Sequence, residues 1–197
     1  MADRTFLSWP FFEERHKKLV SQLESWCAAE VAREPEHETN PEEASKNFVR
    51  AMGRAGWLKN SVPAPYGLSK SLDVRSVCLC RETFSRYSSL ADFAFAMQGL
   101  GSGPISLFGS EAQKNAYLYD VGEGKKIAAF AISEREAGSD VASMSTLAVK
   151  DGEDYVIDGE KTWISNAGIA DFYVVFARTG DPLDPVGRGS KGLALLS

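Results

Sequence analysis

The periodicity of the chain changes near residue 122, and that change sets the order of its architecture. Upstream, apolar residues recur at helical steps, with Phe12, His16, Leu19, Leu23, Trp26 and Val31 on one face. Ser8 reads as the N-cap of this helix, with Pro10 tolerated in its first turn. Asn40 and Pro41 open a second helix that turns Ala44, Phe48, Ala51 and Met52 inward and ends at Gly53 and Gly56. Residues 60–71 form a loop, because Pro63, Pro65 and Gly67 interrupt any regular ladder. A third helix from about Leu72 to Tyr87 sets Val74, Val77, Cys78, Arg81 and Phe84 along one side. A fourth, capped by Ser89, carries Leu90, Phe93, Ala94 and Met97 and closes at Gly99, Gly101 and Gly103. Ser110 and Gln113 make a capping box that opens a fifth helix running through Tyr119.

Downstream the texture is that of strands. Ile127–Ser133 is an apolar run suited to a buried strand. Residues 145–150 and 155–157 flank an Asp151-Gly152 turn, and an Asp158-Gly159 turn leads into a strand over Glu160–Ser165. Asp-Gly between strand-like runs is a strong hairpin signal. Phe172–Arg178 and Gly192–Leu196 read as further strands. The expected fold class is α+β, with helices first and antiparallel strands after.

Composition narrows the function. With 44% apolar residues the chain is globular rather than disordered. A net charge of −5 argues against a nucleic-acid partner, which requires a basic surface. No apolar run approaches the roughly 18 residues of a membrane span. The first residues lack the pattern of a signal or transit peptide, so the expectation is a cytoplasmic protein beginning at Met1. Cys27, Cys78 and Cys80 have no metal-ligand spacing and read as buried free thiols. His16 and His37 sit among charged residues and read as solvated, which leaves no histidine for a catalytic triad.

Two segments carry chemistry. In the first, a strand ends at Ser133 and breaks into the polar turn Glu134–Asp140. Backbone amides released from a ladder bind ligand oxygens, Gly138 permits close approach, and Ser133 and Ser139 offer hydroxyls. The same pattern also describes an ordinary strand-to-loop corner. In the second segment, Trp163 and Ser165 on a strand share a face, an aromatic plane beside a hydroxyl. That suits a flat heteroaromatic ring, and it equally suits a core tryptophan next to a strand-end serine.

Together these segments resemble the acyl-CoA dehydrogenase family of flavoproteins. Residues 131–140, Ala-Ile-Ser-Glu-Arg-Glu-Ala-Gly-Ser-Asp, match each constrained position of the family's first signature. Residues 159–166 match its Gly-x-Lys-x-Trp-Ile-Thr/Ser-Asn block, and Phe108–Lys114 is similar to the segment that opens the helix before its β domain. The loop from Val62-Pro63 to Tyr66-Gly67 fits more loosely, without the usual double glycine. Arg135, Ser165, Asp158 and Tyr119 stand where many members have Pro, Thr, Asn and Pro.

The resemblance implies a helical domain over residues 1–124 and an antiparallel β-barrel-like domain over residues 125–197 that continues beyond the sequence. It implies FAD held by Phe130, Ala131, Ile132, Ser133, Gly138, Ser139, Trp163, Ile164 and Ser165. Trp163 would lie against the ring system and Ser165 near its N5, while Ser139 would also touch the CoA part of an acyl-CoA substrate. The implied reaction is α,β-dehydrogenation to the trans-2-enoyl-CoA, with hydride to flavin N5 and electrons passed to an electron-transfer flavoprotein. The implied assembly is a homo-oligomer, a tetramer or dimer. The family's base is a glutamate of a C-terminal helical domain, so no catalytic residue is expected within these residues. An acyl-CoA oxidase or a non-catalytic relative used for binding are the alternatives.

Overall fold

In a computed structural model, residues 3–32 and 40–179 are described. Helix α1 spans Glu14–Trp26 and runs on through a π-helical turn, Cys27–Val31. It begins later than Ser8, after a separate 3₁₀ turn at Thr5–Ser8. The reason is a reciprocal cap, in which the Glu13 N–H donates to His16 Nδ1 (2.9 Å) and the Glu13 carboxylate accepts from the His16 N–H. The Phe11 carbonyl is also drawn out of helical geometry by Arg75 Nη1, at 2.7 Å.

His16 is fully buried, not solvated. Its Nε2 lies 3.0 Å from Asp73 Oδ2. Because Nδ1 accepts from the main chain, a neutral ring carries its proton on Nε2 and donates it to Asp73. Of the charged neighbours that suggested solvent, Arg15 converges on the same Asp73 Oδ2, its Nη1 at 2.9 Å. The apolar stripe that His16 shares with Leu19 and Leu23 carried the better signal. Burial pushes the Asp73 carboxyl up, but bonds from His16, Ser76 and Arg75 and the charge of Arg15 hold it well below the usual carboxylate range. His37 lies outside the described residues.

Helix α2, Pro41–Arg54, is capped as expected, the Asn40 side chain accepting from the Glu43 N–H at 3.1 Å. Helix α3, Val74–Tyr87, buries Ser76, Leu79, Cys80, Thr83 and Phe84. The face proposed from hydropathy is therefore rotated, and Val74 and Cys78 are exposed. Polar residues on the inner face caused the error, since Ser76 Oγ is bonded to Asp73 Oδ2 at 3.0 Å.

Helix α4, Ser89–Phe108, is capped by Ser88 rather than Ser89 and continues through all three glycines and Pro104. The glycine run does not end the helix, and Gly101 is a packing surface. A Cβ there would stand 2.5 Å from the Cβ of Ala128. Phe93, expected inward, is 38% exposed. Helix α5, Glu111–Gly122, has the expected capping box, with Gln113 Oε1 accepting from the Ser110 N–H (2.9 Å) and Ser110 Oγ accepting from the Gln113 N–H (3.2 Å).

Four short strands follow: β1 (Ala128–Ala131), β2 (Leu147–Asp151), β3 (Asp154–Asp158) and β4 (Phe172–Val175). The α-then-β order stands, and β2 and β3 form the antiparallel hairpin expected from Asp151-Gly152. β1 pairs with β4 in parallel, from Ala128 opposite Phe172 to Ala131 opposite Val175. The hairpin lies in the connection between them, which is long enough to bring the chain back to the same end. There is no strand over 160–165 and no closed barrel among the described residues. The strand expected at 192–196 lies outside them.

Two apolar cores hold the structure. One packs Leu23, Phe48, Met52, Phe84 and Phe95 between the helices. The other joins Val62, Ile105, Leu118 and Val121 to Ala128, Phe172 and Val174. Each such side chain, fully buried, stabilises by about 1.5–3 kcal/mol, so the second core fastens β1 and β4 to α4 and α5.

Candidate functional site

Strand β1 is the frame of the site. The buried Gln98 of α4 fixes its start, accepting from the Ala128 N–H (2.9 Å) and donating to the Lys126 carbonyl (2.8 Å). Along the strand, carbonyls alternate between its two edges. The Ala131 carbonyl accepts from the Phe176 N–H (2.9 Å) on the β4 side. The carbonyls of Ala128 and Ile132 therefore face the other edge.

The 161–166 segment occupies that edge. Asn166 Nδ2 donates to the Ala128 carbonyl and Lys161 Nζ to the Ile132 carbonyl, both at 3.0 Å. The Thr162 N–H donates to the Ser133 carbonyl, also at 3.0 Å. Side chains make most of these bonds, which is why residues 160–165 do not form a strand. Between the two anchors the chain bows outward. Trp163 takes φ 56° and is 79% exposed, and Asn166 takes φ 66°. Asparagine tolerates left-handed backbone; for a bulky residue such as tryptophan it is an outlier that surrounding structure must impose.

Glu134 locks this arrangement from beneath. It is 4% exposed. Its Oε2 accepts from the Ser145 N–H (2.6 Å) and hydroxyl (2.8 Å). Its Oε1 accepts from the Thr146 N–H (2.9 Å), the Thr146 hydroxyl (2.5 Å) and Lys161 Nζ (2.8 Å). Burial pushes this carboxyl up, yet Lys161 and the donors of Ser145 and Thr146 outweigh it and hold the group well below its usual range. Gly159 completes the contact, because a Cβ there would stand 2.5 Å from Thr146 Oγ1.

The expected site residues divide by what they present. Phe130 and Ala131 lie in β1. Ala131 is buried and the Phe130 ring packs on Phe176 at 4.8 Å, so both are committed to the protein. Ile132 and Ser133 are half-buried at the strand end, and Gly138 and Ser139 are exposed on the loop. A Cβ at Gly138 would meet nothing within 4 Å. Among the described residues, the N–H groups of Ser133, Gly138 and Ser139 have no hydrogen-bond partner. Ser165 is half-buried, and Ile164 lines a cavity of about 300 Å³ with Pro41, Ser45, Leu90 and Phe93 of the helices. Trp163 and Ser165 do not share a strand face, since no strand exists there.

The structure adds Gln98, Glu134, Lys161 and Asn166 as residues that build the site. Glu134 and Lys161 were in view as motif positions without a role. Their pairing across 27 positions of chain had no sign in the sequence. The resulting surface offers an exposed indole face, unpaired main-chain donors and hydroxyls. That donor set fits a flat heteroaromatic group rich in acceptor atoms, as FAD is.

The family model for the acyl-CoA dehydrogenase N-terminal domain matches residues 13–125, and that for the middle domain matches residues 129–195. A probable acyl-CoA dehydrogenase of Bacillus subtilis is 38% identical over 170 residues, covering 85% of this chain and 28% of the relative. A subunit of the caffeyl-CoA reductase-Etf complex of Acetobacterium woodii is 31% identical over 186 residues, covering 93% of this chain and 48% of its own. The solved structure of an acyl-CoA dehydrogenase from Bacillus anthracis, complexed with FAD, superposes with a TM-score of 0.74 at 37% identity. It covers 85% of this chain and 29% of that one. The chain thus spans less than half the length of each of these relatives.

Proposed function

This chain belongs to the acyl-CoA dehydrogenase family, a family of oxidoreductases, and from that premise we propose that it builds the flavin-facing wall of an enzyme that removes hydrogen from the α and β carbons of an acyl-CoA thioester. The reading is supported chiefly by one observation, the Trp163 ring held exposed in left-handed backbone directly after the Thr162 bond to Ser133, with the N–H groups of Ser133, Gly138 and Ser139 lacking a partner among the described residues. When bound, FAD supplies the hydride acceptor at N5 and passes electrons to an electron-transfer flavoprotein.

The residues named here hold, orient and shield. Phe130 and Ala131 hold the strand, the main chain at its end (Ile132, Ser133) and the loop through Gly138 and Ser139 bind the cofactor, Trp163 stacks on the ring, and Ser165 donates near N5. Ile164 backs this wall, and Ser139 also contacts the CoA portion of the substrate. Glu134 is excluded as the base, because both oxygens of its carboxylate are already saturated with donors. The structure of the Bacillus anthracis relative with FAD and the naming of the Acetobacterium woodii relative for an Etf complex support the cofactor and the electron-accepting partner. That second relative is named a reductase, which favours a second reading, reduction of an enoyl-CoA on the same surface. We also read residues 1–124 and 125–197 as the two domains, the assembly as a homo-oligomer and the compartment as the cytoplasm. No helix among the described residues is long and apolar enough to cross a membrane.

The test is to purify the protein as its cell makes it and add a panel of acyl-CoA thioesters under nitrogen. The expected result is a flavin absorption band that bleaches with saturated acyl-CoAs and recovers with an electron-transfer flavoprotein. Rapid recovery with oxygen alone would make it an oxidase, and a protein free of flavin would remove the proposal.

A further inference from the structure

We propose that Lys161, through its ion pair with Glu134, is a positioning residue that sets the pose of Trp163 against the 133–139 loop; this rests on the flavin reading above. Three features of the structure lead there. First, among the described residues the pair is the one salt bridge between the two segments that face the cofactor. It is largely buried, with side chains 10% and 5% exposed. A buried ion pair is seldom retained for stability, since apolar residues of similar volume hold a fold equally well, so its directional bonds are the property to explain.

Second, Lys161 divides its donors between Glu134 Oε1 at 2.8 Å and the Ile132 carbonyl at 3.0 Å. It therefore registers its own segment against the strand end and against the loop together. Third, the left-handed backbone of Trp163 begins two residues later, directly after the Thr162 N–H bond to Ser133. A tryptophan keeps that conformation only where flanking bonds over-determine it. Lys161 and Thr162 supply those bonds on one side and Asn166 on the other. Without Lys161 one anchor is left to a single main-chain bond, and the ring relaxes toward ordinary backbone.

Lys161→Met removes the charge and both bonds, while Lys161→Gln keeps one donor for the Ile132 carbonyl. Glu134 retains its four donors from Ser145 and Thr146 in either variant, so the helical circular dichroism is expected to match the parent. FAD is then titrated into the apoprotein of parent and variants, following flavin fluorescence and the visible spectrum. The expected result is an FAD Kd raised by about tenfold or more in Lys161→Met, with a shifted band for the flavin that still binds. Lys161→Gln is expected to lie between Lys161→Met and the parent. Parent-like Kd and spectrum in Lys161→Met would overturn the proposal, as would loss of the helical signal in both variants, which would make the pair a device for holding the fold. Failure of the parent apoprotein to bind FAD at all would instead strike the flavin reading itself.

Discussion

Glu134 keeps a full charge in a nearly closed site because donors surround it. Its neutral replacement Glu134→Gln leaves the Lys161 ammonium buried without its counter-ion and is expected to cost about 3–5 kcal/mol at neutral pH. The pH dependence has a definite sign. A carboxyl whose folded value lies below its ordinary 4.5 contributes stability that is complete above that pH and is lost as the pH falls toward the folded value. The gap in melting temperature between parent and Glu134→Gln is therefore widest at pH 7 and narrows below about pH 4.5. A gap independent of pH would contradict the charge assignment. Asp73 acts in the same direction from its site beside His16. Neither role was legible from residue type, because each depends on partners distant in sequence. What the sequence did show was His16 in an apolar stripe, and the neighbouring charges masked it.

At the scale of elements, α4 packs closely on β1 at Gly101, which explains that glycine of the run. Gly101 has no room for a Cβ against Ala128, whereas a Cβ at Gly103 meets nothing within 4 Å. Gly101→Val is expected to destabilise by about 1–3 kcal/mol through overpacking. Gly103→Ala is expected to stabilise by about 0.4–1 kcal/mol by restricting the unfolded chain. Thermal melts of the two variants check both, and equal shifts would refute the packing assignment. Helix caps at Asn40 and Ser110 were legible because capping is local chemistry. The β2–β3 hairpin was legible for the same reason, through Asp151-Gly152. The end of α4 and the 160–165 segment were not, since a glycine run and an alternating pattern look alike whether they end a helix, pack a strand or bow around anchors. The parallel pairing of β1 with β4 is likewise a property of the path between them.

Across the whole molecule, the helices supply the platform and β1 transmits it to the site. Gln98 sets the start of the strand, the second apolar core fastens it, and the segments on its free edge and at its end carry the exposed Trp163 and the main-chain donors without partners among the described residues. The motif residues lie on these two segments. The buried Glu134–Lys161 pair that makes one surface of two segments could be found only from the fold. The central claim is that residues 132–139 and 161–166 act as a single flavin-facing surface. Hydrogen–deuterium exchange of the protein with and without FAD tests it most directly. FAD is expected to slow exchange in both segments together, at the N–H groups of Ser133, Gly138 and Ser139 and around Trp163. Protection confined to one segment, or located on the helices away from β1, would contradict it.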